Sequence, residues 1–238
     1  MNIVISGYGK MGREVEKIAL SRKHIIVAKL DTVEDWEKYS GQISSADVVI
    51  DFSMPAVVVD NIYRCFDLGL PVVTGTTGWY DHTGEVTERC KKKDGSLFYA
   101  PNFSIGVNLF FKINEHLARL ISGVEGYKVQ VEETHHVHKL DAPSGTAIKT
   151  AEGIIAGNEK IKKWVDHRTD KPEELPVISF REGEVPGTHT VIWDSNADRI
   201  TLKHEAKNRS GFALGAVMAA EFVVGKKGVF TMEDLLGI

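Results

Sequence analysis

Residues 2–12 read Asn2-Ile3-Val4-Ile5-Ser6-Gly7-Tyr8-Gly9-Lys10-Met11-Gly12, and this stretch decides the fold. Its first half is a short run rich in β-branched residues that ends in glycine, which predicts a buried strand. From Met11 to Leu20 the period changes, and Met11, Val15, Ile18 and Ala19 fall on one face at helical spacing. Between strand and helix lies Gly-x-Gly-x-x-Gly. In that context Gly7 permits the tight turn, Gly9 lets the backbone approach a pyrophosphate, and Gly12 lets helix and strand pack closely. The helix N-terminus adds free N–H groups and positive potential for phosphates. A second strand, Ile25 to Leu30, is followed by Asp31, an acid placed about 20 residues on, where it can accept hydrogen bonds from ribose hydroxyls. Gly7, Tyr8, Gly9, Lys10, Met11, Gly12 and Asp31 are therefore read as a site for NADH, NADPH or both. Asp31 repels a 2′-phosphate and is followed by Thr32 rather than Arg, so NADH is expected to be used well; the nearby Lys29 leaves NADPH open.

Working outward, Val48–Phe52, Pro71–Thr74 and Leu97–Ala100 read as strands and Ala56–Leu68 as a helix. Strands alternating with helices predict a parallel sheet with right-handed crossovers. Ligands bind beyond the carboxyl ends of such strands. The turns carrying Phe52 and Ser53, then Gly75, Thr76 and Thr77, then Ala100, Pro101, Asn102 and Phe103 are assigned to the same cofactor site. After Asn102 the pattern changes. A long amphipathic helix, Val107–Ile121, leads into an alternating strand, Tyr127–Thr134, and a helix from Thr146 to about Ala156. A polar stretch, Asp166–Pro176, precedes three strands without helices between them: Val177–Arg181, His189–Asp194 and Arg199–His204. The expected architecture is α/β: a Rossmann-type parallel-sheet domain plus a smaller α+β domain with a mixed or antiparallel sheet. Residues 1–104 and 210–238 are assigned to dinucleotide binding, and residues 105–209 to substrate binding and oligomerisation.

The formal net charge of −4 on 238 residues shows no footprint for nucleic acid or an anionic membrane. Lys91, Lys92 and Lys93 read as a solvated helix end. Cys65 and Cys90 form no Cys-x-x-Cys pair, and no basic-then-apolar leader opens the sequence, so a reducing cytoplasm is the expected compartment. Phe212–Val224, the longest apolar window, contains Glu221, is too short to span a bilayer and reads as a buried helix. Met11, Met218 and the isolated His204 are read as core.

The chemistry concentrates in Glu132-Glu133-Thr134-His135-His136-Val137-His138-Lys139-Leu140-Asp141-Ala142-Pro143-Ser144-Gly145-Thr146. Clustered imidazoles suit a metal, but a Lys beside them opposes a cation, and no metal is expected. Acid–base chemistry fits better, because histidine titrates near neutral pH and an ammonium supplies charge and a proton. If the segment stays extended, His135 and Lys139 share one face, and His136 and His138 the other. Ser144, Gly145 and Thr146 precede a helix and offer hydroxyls and N–H groups for a carboxylate; an ordinary N-cap is the competing reading.

At these residues the chain resembles the 4-hydroxy-tetrahydrodipicolinate reductase (dihydrodipicolinate reductase) family of diaminopimelate and lysine biosynthesis. The resemblance covers almost the whole chain. Its markers are Asp51-Phe52-Ser53, Gly75-Thr76-Thr77-Gly78, Ala100-Pro101-Asn102-Phe103-Ser104 and, above all, His135 to Thr146. It implies an NAD(P)H-dependent oxidoreductase with His135 as acid/base and Lys139 as proton donor. It further implies a small dicarboxylate held by His136, Ser144, Gly145 and Thr146, no nucleic-acid or membrane partner, and a homotetramer. Lys10 stands where the family usually carries Arg, in a shorter glycine loop. A different reductase of the same architecture would share the glycine fingerprint without the His135–Thr146 segment. A non-enzymatic dinucleotide sensor would need no general acid.

Overall fold

The computed structural model describes all 238 residues. The chain divides into two compact units, Met1–Ile105 with Arg209–Ile238, and Gly106–Asn208.

The first unit begins with β1 (Asn2–Ser6), α1 (Lys10–Ser21), β2 (Ile25–Leu30), α2 (Val33–Lys38), α3 (Ser40–Ile43) and β3 (Val48–Asp51). It continues with α4 (Pro55–Asp67), β4 (Val72–Thr74), α5 (Thr83–Lys92) and β5 (Ser96–Tyr99). The second unit follows α6 (Ile105–Ser122) with β6 (Lys128–His135), α7 (Gly145–Gly157), β7 (Lys163–Val165), β8 (Glu174–Arg181), β9 (Thr188–Asp194) and β10 (Arg199–Glu205). The chain then returns to the first unit with α8 (Ser210–Val223), β11 (Gly228–Phe230) and α9 (Met232–Leu236).

Six strands in the order β11-β5-β4-β3-β1-β2, all parallel, form the first sheet. Ile3, Val4 and Ile5 are fully buried, as a central strand covered on both faces requires. Burial of each such side chain contributes roughly 1.5–3 kcal/mol. One face packs under α1 and α8, where Val15 and Ala19 meet Ala213, Ala216, Val217 and Ala220. A bidentate pair from Arg22 to Glu221, 2.8 and 2.7 Å, fixes the end of α1 to α8. The other face holds Val58, Ile62, Cys65 and Phe66 of α4 with Val86 and Cys90 of α5. Both cysteines are free and buried.

The second sheet has the order β10-β9-β6-β8-β7. It is mixed: β6 runs antiparallel to β9 and parallel to β8. The helices α6 and α7 bury Phe110, Ala118, Ala147, Ala151 and Ile154 against Val131, Val177, Val191 and Trp193 of the sheet. No helix is long and apolar enough to cross a membrane.

Two readings from sequence change, and five short elements went unread. The stretch taken as a polar connection from Asp166 to Pro176 contains the first three residues of β8, because Glu174, with Lys163 and Lys171 each at 3.2 Å, is buried as an ion pair. The short elements α2, α3, β7, β11 and α9 carry too few residues for a period to show. The segment after His135 does not stay extended. The Lys139 N–H donates to the His136 carbonyl at 3.1 Å, so His136 to Lys139 form a turn and two-residue alternation cannot assign their faces.

Candidate active site

In the first unit the glycine fingerprint is a strand–turn–helix. Gly7 has φ 85°, and a Cβ there would fall inside the Phe52 carbonyl. Only glycine fits. A Cβ on Gly12 would collide with the Gly7 carbonyl and stand 3.2 Å from Ile5 Cγ2, so strand and helix touch through it. Gly9 is different, because a Cβ there meets nothing within 4 Å. No protein atom explains that glycine, and the open space suits an approaching phosphate. Gly9 caps α1 without a side-chain bond, and no acid occupies the first turn. The N–H groups there are free for an anion.

A cleft of ≈ 450 Å³ is lined by Gly9, Lys10, Met11, Phe52, Ser53, Pro55, Gly75, Thr76 and Thr77. Pro55, at the first turn of α4, was not singled out from sequence. Met11 both lines the cleft and packs on the core. Beneath the cleft lies Asp51, fully buried without a cationic partner. It accepts from the hydroxyls of Ser6 (2.8 Å), Ser53 (2.9 Å) and Thr76 (2.8 Å) and from Asn61 Nδ2 (3.0 Å). Thr76 thus fastens its loop by its side chain. Asp51 fixes the exits of β1, β3 and β4 at one point. Ala100, Pro101, Asn102 and Phe103 follow β5 at the same edge, but Phe103 turns into the core, 5.9 Å from the Phe52 ring.

At the other side of the fingerprint, Asp31 Oδ1 accepts from the Tyr8 N–H at 2.6 Å. The Lys29 ammonium lies 2.6 Å from Glu16 and 3.0 Å from the Tyr8 hydroxyl, and Tyr8 also bonds Glu16. Arg13 stacks over the Tyr8 ring at 4.7 Å. Glu16 sits below the ordinary carboxylate range, first through its bond to Lys29.

In the second unit His135 ends β6. Its side chain is buried, with Nδ1 3.2 Å from Glu133 Oε2. Glu133 Oε1 accepts from the Ser144 N–H (2.9 Å), the Ser179 hydroxyl (2.7 Å) and, more distantly, Arg181 Nη2 (3.4 Å). Burial pushes the Glu133 carboxyl upward, but the adjacent imidazoles of His135 and His189 and the bonds from Ser144 and Ser179 outweigh it and hold it far below the carboxylate range. The His189 ring stands 5.1 Å from the His135 ring and nearly perpendicular. Burial keeps His189 below its ordinary value despite Glu133. The Lys139 ammonium is held by both oxygens of Asp141, at 2.7 and 2.9 Å. Arg181 clasps the same loop through the Lys139 and Asp141 carbonyls, at 3.3 and 2.5 Å.

Ser144 behaves as the N-cap. Its hydroxyl accepts from the Ala147 N–H (3.2 Å) and lies 3.2 Å from His189 Nε2, while its own N–H is held by Glu133. The N-cap reading of Ser144 therefore holds, and its hydroxyl, which caps α7 and meets His189, sits at the same helix start as Gly145 and Thr146. Gly145 is exposed and Thr146 half-exposed at the first turn of the 13-residue α7, where N–H groups lack intrahelical partners. His136 is half-buried and His138 exposed near Glu184. His204 is half-buried beside Phe110, with burial lowering its basicity.

Residues 1–103 match the family described as dihydrodipicolinate reductase, N-terminus, and residues 106–236 its C-terminus. The chain belongs to the dihydrodipicolinate reductase family. A 4-hydroxy-tetrahydrodipicolinate reductase of Christiangramia forsetii is 49% identical over 236 residues, 99% of this chain and 98% of that protein. One of Ralstonia pickettii is 40% identical over 206 residues, 82% of this chain and 76% of that one. The solved dipicolinate-bound dihydrodipicolinate reductase from Paenisporosarcina shares the fold, with a TM-score of 0.80 at 24% identity and 97% of each chain covered. A probable dehydrogenase from Thermotoga maritima aligns more loosely, with a TM-score of 0.58 over 99% of this chain and 92% of that one, at 12% identity. As a member of the dihydrodipicolinate reductase family, the chain is an oxidoreductase, a pyridine-nucleotide-dependent reductase with a Rossmann-type N-terminal domain. The family acts on a small molecule in lysine and diaminopimelate biosynthesis.

Proposed function

We propose that this chain reduces 4-hydroxy-tetrahydrodipicolinate to tetrahydrodipicolinate, with nucleotide held in the first unit and dicarboxylate in the second. The observation that carries the reading is the grouping of His135 on a buried carboxylate, Lys139 on Asp141, and the open N-terminus of α7. The reaction adds a hydride and a proton to the ring and releases water. Bound reduced nicotinamide supplies the hydride. Gly9, Lys10 and the first turn of α1 hold its phosphates, Asp31 its adenosine ribose, and the Phe52, Ser53, Gly75 to Thr77 and Ala100 to Asn102 turns its nicotinamide half. His135 serves as acid/base through Nε2, and Lys139 donates the proton. His136, the Ser144 hydroxyl and the Gly145 and Thr146 N–H groups bind the substrate carboxylates.

NADH is the preferred donor. Asp31 is exposed and anionic, and Lys29, the cation nearest to it in sequence, is tied to Glu16 and Tyr8. The chain works in the cytoplasm as a homotetramer built on the sheet of the second unit, whose surface carries a ≈ 800 Å³ groove that includes Tyr127, Gln130, Ile192 and Arg199. Light scattering on the purified protein checks the four-chain mass.

The test is a coupled assay with enzymatically generated substrate. His135→Ala and Lys139→Ala lose ~10²–10⁴-fold in turnover, with nucleotide affinity unchanged. Pyridine-2,6-dicarboxylate competes with substrate and not with nucleotide. Wild-type protein that oxidises no NADH or NADPH with this substrate, or full turnover in both variants, overturns the reading.

A further inference from the structure

Glu133 is the most buried carboxylate of the second unit, 1% exposed. A carboxylate placed there costs several kcal/mol unless its lone pairs are met. Oε1 has its donors: the Ser144 N–H, the Ser179 hydroxyl and Arg181. Oε2 has no aligned hydrogen bond. Neither has His135 Nδ1, also buried, and these two atoms lie 3.2 Å apart. Each is the other's nearest candidate, since His189 Nε2 lies farther from Oε2, at 3.7 Å, and is closer to the Ser144 hydroxyl.

We infer that Glu133 is a positioning residue, holding the His135 ring by Nδ1 and, through its second oxygen, anchoring the start of α7. One carboxylate thereby sets both the acid–base group and the N–H groups meant for the substrate carboxylate. This inference rests on the reading of His135 given above. A proton kept on Nδ1 by the carboxylate leaves Nε2 as the atom that exchanges protons, and the negative charge favours the imidazolium formed when it does. Burial lowers the basicity of the neighbouring His189, so its ring competes weakly for that charge. The Nε2 side is left clear by Gly187, where a Cβ would stand 3.0 Å from Nε2.

The test is a double-mutant cycle on the full-length enzyme. Glu133→Gln keeps the shape, removes the charge and turns an amide N–H toward Nδ1. It lowers kcat by ~10²-fold or more and leaves KM for the nucleotide unchanged. Glu133→Asp keeps the charge and recovers part of the loss. On a His135→Ala background, Glu133→Gln costs less than about threefold, because residues that act as a unit are not additive. Should Glu133→Gln fail to fold by circular dichroism, Ser179→Ala frees Oε1 from its 2.7 Å donor and is read the same way. An equal loss with and without His135, or a kcat within twofold of wild type, overturns the inference while the His135 reading stands. Full activity in His135→Ala alone defeats that reading and this inference with it.

Discussion

A single added methyl group is the sharpest probe at the residue scale. Gly187→Ala places its Cβ 3.0 Å from His135 Nε2 at a φ of 152°. Turnover should fall by up to ~10²-fold, as small misplacements of reacting groups do, while NADH binding measured by fluorescence titration stays unchanged. Turnover unaltered by Ala would show that Nε2 does no chemistry. On the nucleotide side, Glu16→Gln releases Lys29 from its 2.6 Å ion pair. The freed ammonium can meet a 2′-phosphate, so kcat/KM for NADPH should rise several-fold relative to NADH. A ratio that does not move refutes the account of cofactor choice. The strand–turn–helix at the glycine fingerprint was legible because Gly7 and Gly12 answer local demands of turn and close packing. Glu133 carried a signal too. Val131, Glu133 and His135 alternate onto one buried face of β6, and extending the two-residue period past Val131 would have found it. His189 could not be seen that way, since its partnership with Glu133 comes from the pairing of β6 with β9.

Among the elements, the exits of β1, β3 and β4 depend on one carboxylate. Asp51→Ala strands the hydroxyls of Ser6, Ser53 and Thr76 and the Asn61 amide that it now accepts from. Unsatisfied buried donors cost about 1–3 kcal/mol each. A loss of about 3 kcal/mol or more is expected in urea unfolding, with weaker nucleotide binding because the Ser53 and Thr76 loops loosen. A change below about 0.5 kcal/mol would mean that the hub is dispensable. The edge of the second sheet has a titratable equivalent. Glu174 is pulled down to about 2 by the Thr169 hydroxyl first, then by Lys171 and Lys163, against burial. Its folded value lies below the 4.5 of an ordinary glutamate. The unfolded chain therefore binds more protons between these values, and stability is whole above the upper value and is lost as pH falls through the window. Glu174→Gln should be less stable than wild type near neutral pH, and the gap should close toward about pH 2. A gap independent of pH would contradict the pairing. Apart from α5, of which only the lysine-rich end was read, the long elements were legible from sequence because their apolar period runs over several turns or pleats. β7 was not, since three residues give no period and its place beside β8 is set by pairing.

For the whole molecule, the instructive feature is that the first unit is discontinuous. Its returning helix, α8, contributes Ala213, Ala216, Val217 and Ala220 to the core under the parallel sheet. The two crossings lie close together, with a Cβ on Gly211 only 3.9 Å from the Ser104 hydroxyl. Joining Ile105 to Arg209 through a short glycine-serine linker, with Gly106–Asn208 removed, should give a folded protein that still binds NADH and has no reductase activity. An excised chain that is unfolded by circular dichroism would show that the first unit needs the second to hold its shape. The glycine fingerprint and the return of an apolar helix made this interrupted plan readable. The sixth strand was not, because Gly228–Phe230 joins β5 by long-range pairing alone.

That sixth strand orders events during synthesis. Residues 106–208 leave the ribosome as a continuous block with their own core, whereas the parallel sheet waits for Phe230 before its β5 edge is covered. Until then the strand-side backbone of β5 and the apolar surface awaiting α8 are open to other nascent chains. Translation speed over the codons for residues 209–238, and chaperone supply at that moment, should govern yield more strongly than the same changes made earlier in the message.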